Sequence, residues 1–421
     1  MHSQSLTAKR IFLNACLVMF AGLMLSVPVS AARPNQDPSE RQRAFDLLQE
    51  SKYIEALPLF EKLATKNPND GQIIYWLGFL HVVAKANDTK DPAARKAERK
   101  RGRDYLVRAK ELGASDELSE ILLQSVPLDG GEDPTISTNS AADAAMKDAE
   151  AAFARGELDK ALLSYALAFQ FDPKLYPAPL YAGDMEYRKG LNSTDPQTRS
   201  DQFDKAGVWY AKAIALNPDR ETAYRYWGDA LLKQGKTDDA RARYIEAIIA
   251  EPYNSFVYNG IKQWAEEQKI QLGHPRIEQP APSITSDNSG DKTTILVDPG
   301  KLDPTSPAYY WSFYDLSRAT YKTASFSKEY PDEKVYRHSL KEEAAALRAV
   351  AEIASKDFKA GKTKLLDVSL HNLIKLYEAG FLEAYVLYAR PDAGIARDYA
   401  AYRATNRDKL RRYWLEVVIG G

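Results

Sequence analysis

The side chains best spaced for chemistry in this sequence are His338, Glu342 and Glu343. Residues four apart share one face of a helix, so an imidazole and a carboxylate placed there could bind a metal ion or pass a proton. A plainer account competes. Ser339 starts a helix, Glu342 completes its capping box, and Glu343 favours the positive helix end. The other histidines beyond the first residues, His81, His274 and His371, are widely separated, and the one cysteine, Cys16, lies in an apolar run near the N-terminus. No metal ligand set, no thiol chemistry and no cofactor is expected from this inventory. Phosphate loops, Gly-x-Ser-x-Gly elbows and Gly-x-Gly-x-x-Gly turns are missing from the sequence, and no catalytic residue is assigned.

Two further clusters carry potential chemistry. Tyr309, Tyr310, Trp311, Phe313, Tyr314, Tyr321 and Phe326 crowd one short stretch. Exposed, such rings could stack on sugars; packed, they would dock their helix on the repeats that precede it. Between Arg95 and Lys110 eight basic residues face only Glu98 and Asp104. They could attract an anionic surface, or they could be the solvated side of a helix whose other side carries Gly102, Leu106 and Ala109.

The elements that would hold these groups are set by a repeat. In residues 203 to 252, Ala206, Tyr210, Ala213 and Pro218 return as Ala240, Tyr244, Ala247 and Pro252, each 34 positions on. Spacings of four and three place Ala206, Tyr210 and Ala213 on one helix face, and Tyr224, Trp227, Gly228 and Leu231 share a face of the helix between the copies. Gly228, Ala240 and Ala247 are small enough to let paired helices approach closely, and Pro218 and Pro252 end the second helix of each pair. Earlier copies carry Tyr53, Ala56 and Phe60, then Trp76, Gly78, Gly102 and Ala109, then Ala149, Gly156, Ala161, Tyr165 and Ala168, then Ala182, Gly183 and Tyr187.

Together these residues resemble the tetratricopeptide repeat. The resemblance implies an all-α fold, a TPR-like α-solenoid followed by a smaller helical C-terminal domain. It also implies a concave groove, lined by the first helices of successive repeats, that binds extended peptides or partner helices. Carried over position by position, the groove would be formed by Tyr75 and Phe79, by Asp184, Tyr187 and Arg188, by Arg225, Asp229 and Lys233, and by Asn259 and Gln263 in the next helix. The Lys and Asn set with which chaperone-binding members clamp a C-terminal carboxylate does not occur in that arrangement.

The organisation reads as follows. Residues 1–32 form a secretory signal peptide: Lys9 and Arg10, an apolar run from Ile11 to Val27, and the small-residue site Val29-Ser30-Ala31. Residues 37–127 hold repeats one and two with an extra helix, 128–140 a linker, and 141–273 repeats three to five with a capping helix. A Pro/Ser/Thr-rich linker, 274–306, then leads to a helical domain over 307–421. Within the linker, Thr293 to Val297 could be a short strand. Repeats two and four are interrupted between their helices by Ala86 to Pro92 and Leu191 to Arg199. Both interruptions contain Asn, Thr and Asp-Pro in that order, with an arginine three residues after the proline, which points to duplication of a two-repeat unit.

Removing the signal shifts the formal charge from −1 to −3, too near balance to suggest nucleic acid. The expectation is an exported scaffold in the periplasm or cell envelope that holds a protein or peptide, with membrane association only if the N-terminal segment stays uncleaved. The alternative is an enzyme or carbohydrate-binding module in 307–421, with the repeats as adaptor.

Overall fold

The structure is a computed structural model describing residues 38–131, 135–280, 284–287, 294–297, 303, 306–362 and 367–420. The signal-peptide region 1–32, residues 132–134 of the first linker and much of 274–306 lie outside the described residues. Among those described, no helix is long and apolar enough to cross a membrane. The chain divides into two compact units, one ending at Ala240 and one starting at Arg241.

The first unit is an array of helix pairs. α1 (Pro38–Gln49) pairs with α2 (Tyr53–Lys66). α3 begins at Gly71–Leu80 and continues through a π-helical turn, His81–Lys85, to Asp88; its partner is α4 (Pro92–Glu111). After the extra helix α5 (Glu117–Ser125) come α6 (Ser140–Ala154) with α7 (Leu158–Phe171), then α8 (Pro177–Asn192) with α9 (Pro196–Leu216). α10 (Thr222–Lys233) follows, and α11 (Thr237–Ala250) begins in the first unit and runs on into the second. The repeating residues are the core. Ala56, Phe60, Ala109, Ala161, Tyr165, Ala168, Ala206, Tyr210 and Ala213 are all almost fully buried.

The two interruptions are extra helical turns rather than inserted loops. α4 and α9 run for 20 and 21 residues, against 14 for α2 and α7. Only residues 89–91 and 193–195 leave the helices. Both junctions use the same device. Asp91 and Asp195 accept from the amides of Ala94 and Thr198 at 2.6 and 2.7 Å, so each caps its helix. Pro92 and Pro196 supply the first helical position, where a missing N–H costs nothing. Arg95 then donates back to the Thr89 carbonyl, and Arg199 to that of Ser193, each at 2.8 Å. The uninterrupted repeats turn differently, through a left-handed residue: Ser51, Gly156 and Gly235 have φ of 60°, 76° and 73°. The alternation of turn types matches the two-repeat duplication inferred from the sequence.

Close approach of paired helices depends on missing side chains. A Cβ on Gly102 would lie 2.6 Å from Val82 Cγ2 and 2.7 Å from the Gly78 carbonyl oxygen, and one on Gly183 would lie 2.6 Å from the Tyr210 ring. Gly102→Ala should therefore force α3 and α4 apart and lower stability by about 1–3 kcal/mol. Lys100→Ala, on the exposed side of the same helix, should change it by less than about 0.5 kcal/mol. Urea unfolding followed by circular dichroism measures both. Equal effects would mean that the two helices do not meet at Gly102.

The second unit holds α11 from Arg241 onward, α12 (Val257–Gln268), a two-stranded antiparallel hairpin of β1 (Ile284–Asp287) and β2 (Thr294–Val297), and six further helices. These are α13 (Pro307–Thr320), extended by a π-helical turn and a short helix to Glu329, then α14 (Leu340–Lys359), α15 (Val368–Glu378), α16 (Leu382–Ala389), α17 (Ala393–Ala396) and α18 (Tyr399–Tyr413), which ends in a π-helical turn, Trp414–Val418. Thr294 pairs with Asp287 and Val297 with Ile284, so the stretch read as a linker contains a register-fixed hairpin.

The unit boundary falls inside the fifth repeat, not at 274–306 as the composition suggested. The cause is α18, which packs on the end of α11. Glu246 receives Arg407 Nε at 2.9 Å and Arg411 Nε at 2.6 Å, Tyr399 donates to the Ile249 carbonyl at 2.6 Å, and Arg403 donates to that of Ala250. Further along, the Tyr413 hydroxyl lies 2.7 Å from His274 Nδ1, and the Tyr258 and Trp414 rings meet at 6.1 Å. α12 is therefore covered by the C-terminal helix rather than serving as a terminal cap.

Candidate partner-binding surface

The first helices were expected to face an open groove, and in the first unit they are enclosed. From Pro177 to Arg188 on α8 every residue except Tyr187 is buried, as are Ile73 to Ala84 on α3. The turn between α1 and α2 fills the space. Arg188 Nη1 donates to Ser51 Oγ at 2.6 Å, and the Tyr53 ring stands edge-on to Phe79 at 6.0 Å and to Phe153 at 5.6 Å.

Five of the ten predicted groove residues are core residues for this reason. Tyr75 is buried and donates to Asp116 at 3.0 Å; burial, with the Asp116 charge, raises its hydroxyl pKa. Phe79 is sealed between Tyr53 and Trp76. Asp184 holds Arg188 Nε at 2.6 Å; burial pushes its carboxyl up to about 6 while Arg188 draws it down. Arg225 is held by the fully buried Glu221 at 2.8 Å and stacks on Tyr226. Tyr187, against the Phe203 ring at 5.3 Å, and Asp229 are half-buried. Lys233 on α10 is exposed, as are Asn259 and Gln263 on α12 of the second unit, where Gln263 donates to Glu267 at 3.0 Å.

An exposed apolar surface lies on second helices, which the groove reading did not consider. Leu163, Leu167 and Phe171 follow each other at intervals of four along α7 and are 63%, 38% and 45% exposed. On the opposite side of α7, Phe169 meets Trp209 of α9 at 6.3 Å, so the line itself is left outward. Single exposed apolar residues are ordinary, but three on one helix line need an explanation. Reading α7 for its outward face as well as its inward one would have found them.

The His338 cluster of the second unit is a closed ionic network. Ser339 caps α14 by accepting from the Glu342 amide at 3.2 Å, but the Glu342 carboxylate does not turn back to complete the expected box. It accepts instead from Arg318 Nε and the Tyr336 hydroxyl, both at 2.9 Å. Glu343 accepts from the Tyr314 hydroxyl at 2.7 Å, faces Arg390 Nε at 3.3 Å, and lies 3.0 Å from His338 Nε2. His338 Nδ1 is 2.6 Å from Asp392. Burial works against the imidazolium, but carboxylates at both ring nitrogens outweigh it and raise the His338 pKa. The same bonds hold Glu343 below its usual range although burial alone would raise it. Among the described residues no three His, Cys, Asp or Glu side chains converge as a metal ligand set. Of the aromatic stretch, Tyr310, Trp311, Tyr314, Tyr321 and Phe326 are buried, and α13 packs against α14.

These helix pairs, stacked around buried small and aromatic positions that recur along the chain, define an all-α helical-repeat fold. No protein-family model matches the chain, and no curated protein matches it. Solved structures do; one is the crystal structure of TTC0263, a thermophilic TPR protein in Thermus thermophilus. It is 19% identical over 55% of this chain and 98% of its own, with a TM-score of 0.24.

Proposed function

We propose that this chain is an exported, non-catalytic scaffold that holds a protein or peptide partner in the periplasm or cell envelope. Its export rests on the N-terminal pattern of Lys9, Arg10, the apolar run and Val29-Ser30-Ala31. The observation that carries the binding role is the apolar line Leu163, Leu167 and Phe171. Its spacing matches the i, i+4 anchors of an amphipathic helix, which is the partner chemistry it suits. Because the first helices of the first unit are enclosed, the proposal takes this outer face rather than the groove as the working surface.

Site-specific photocrosslinking tests the reading. A photoreactive amino acid in place of Leu167, in cells, should give one discrete protein adduct, and adding Leu163→Asp and Phe171→Asp should abolish it. The same probe in place of Val335, which is 78% exposed in the other unit, should give none. An adduct that survives the aspartates, or that forms equally at Val335, would sink the assignment.

A further inference from the structure

The face of α7 that carries the apolar line extends beyond it. Lys160, Ser164, Leu167 and Phe171 follow at intervals of four, three and four, which places them on one side of the helix, and Leu163 stands three residues beyond Lys160. Lys160 and Ser164 also line a cleft of about 420 Å³ in the first unit, formed with the end of α3, the start of α4, and α6. An apolar ridge therefore leads into a recess with room for a side chain, since sites for whole small molecules span roughly 300–1,000 Å³.

The cleft is lined by Lys90, Arg95, Arg99, Lys147, Arg155 and Lys160. Against them stand Asp88, Asp148 and Glu150, and two of these carboxylates are already engaged. Asp88 accepts from Arg155 at 2.8 Å, and the buried Glu150 accepts from the Tyr165 hydroxyl at 2.9 Å. From outside the lining, Asp143 holds Lys147 at 2.8 Å and Glu157 holds Lys160 at 3.0 Å. The two lysine side chains are 39% and 72% exposed, so these pairs contribute little and open at small cost. Lys90 and Lys160 are exposed at the rim, within reach of an arriving group.

We propose that the partner of the α7 line is an amphipathic helix with acidic residues at the end that overlies the cleft, and that the cleft receives one of those carboxylates. The inference rests on the α7 reading above and adds the charge and the direction of the partner: apolar anchors at Leu163, Leu167 and Phe171, acidic end toward Lys160. Rim charges of this kind select partners and speed their encounter more than they add affinity.

The test uses the full chain in cells with a photoreactive amino acid in place of Leu167 or of Ser164, and the crosslinked segment is sequenced by mass spectrometry. Both positions should capture the same protein, with the segment captured at Ser164 richer in Asp and Glu than in Lys and Arg. The same probe in place of Asp148, an exposed residue of the lining, should capture that segment too, so the outcome does not depend on how Ser164 tolerates replacement. Lys90→Glu with Lys160→Glu should cut the Ser164 adduct at least about tenfold, because like charges then meet, whereas Lys90→Arg with Lys160→Arg should keep it. Capture at Leu167 but at neither Ser164 nor Asp148 would overturn this inference and leave the α7 reading standing. A basic segment, or an adduct indifferent to the charge reversal, would overturn it too. Capture at none of the three positions would sink the α7 reading and this inference together.

Discussion

Arg188→Glu is expected to unfold the first unit rather than to detach a partner. The arginine is buried, and its guanidinium is shared by Asp184 Oδ2 at 2.6 Å, Ser51 Oγ at 2.6 Å and the face of Phe153 at 4.9 Å. A glutamate there would set a second carboxylate beside Asp184, which burial already pushes up to about 6 even with the arginine present. Breaking a buried ion pair from one side costs about 3–5 kcal/mol, a large part of the roughly 5–15 kcal/mol that holds a domain folded. Lys233→Glu, on an exposed side chain, should stay within about 0.5 kcal/mol of the parent. Urea unfolding separates the two. Near-parental stability of Arg188→Glu would show that this arginine faces water and that the groove is open.

In the second unit, Glu343→Ala should cost about 3–5 kcal/mol, because it strands the His338 and Arg390 charges that Glu343 holds at 3.0 and 3.3 Å. It should also change how stability depends on pH. The folded-state pKa of His338 is raised above the ordinary 6.5: burial opposes its charge, but Glu343 and Asp392 prevail. Its contribution is therefore complete below pH 6.5 and lost as pH rises through the folded value. Glu343 is lowered from 4.5, since the bonds from His338, Arg390 and Tyr314 overcome burial. Its contribution is complete above pH 4.5 and lost as pH falls through the depressed value. The parent's second unit should gain most from this network between pH 4.5 and 6.5, and Glu343→Ala should flatten both flanks. A stability–pH curve unchanged in shape by the substitution would count against the network.

The parts of the fold legible in the sequence are those fixed by local spacing. Ala206, Tyr210 and Ala213 recur in register because each pair of helices buries the same face, and the Asp-Pro junctions were visible because the cap and the proline are adjacent in the chain. What escaped was non-local. Ser51 reaching Arg188 joins residues far apart in sequence, and no periodicity records it. One signal was available: Asp184 and Glu221 each precede an arginine by four residues, which marks both arginines as paired on their own helix rather than open to a ligand. The hairpin was half-read, since Thr294 to Val297 has strand composition while Ile284 to Asp287 does not. His338 precedes its helix and meets Glu343 rather than Glu342, four residues on, and the partners Arg318, Arg390 and Asp392 come from α13 and the stretch after α16, which helix spacing cannot reveal.

A solenoid in which each repeat touches only its neighbours behaves as a one-dimensional chain, so its ends can unravel a repeat at a time and folding can begin anywhere. The contact between the first turn and α8 removes that freedom from the first unit. With Ser51 against Arg188 the N-terminal pair is fastened to α8 across two intervening repeats, and with Tyr53 against Phe153 to α6 across one, and the loops closed this way must lose their entropy before the contacts form. Folding of these repeats should accordingly be slower and more nearly all-or-none than in an open array of equal length. Amide exchange in α1 and α2 should then require opening of the whole unit instead of fraying from the end.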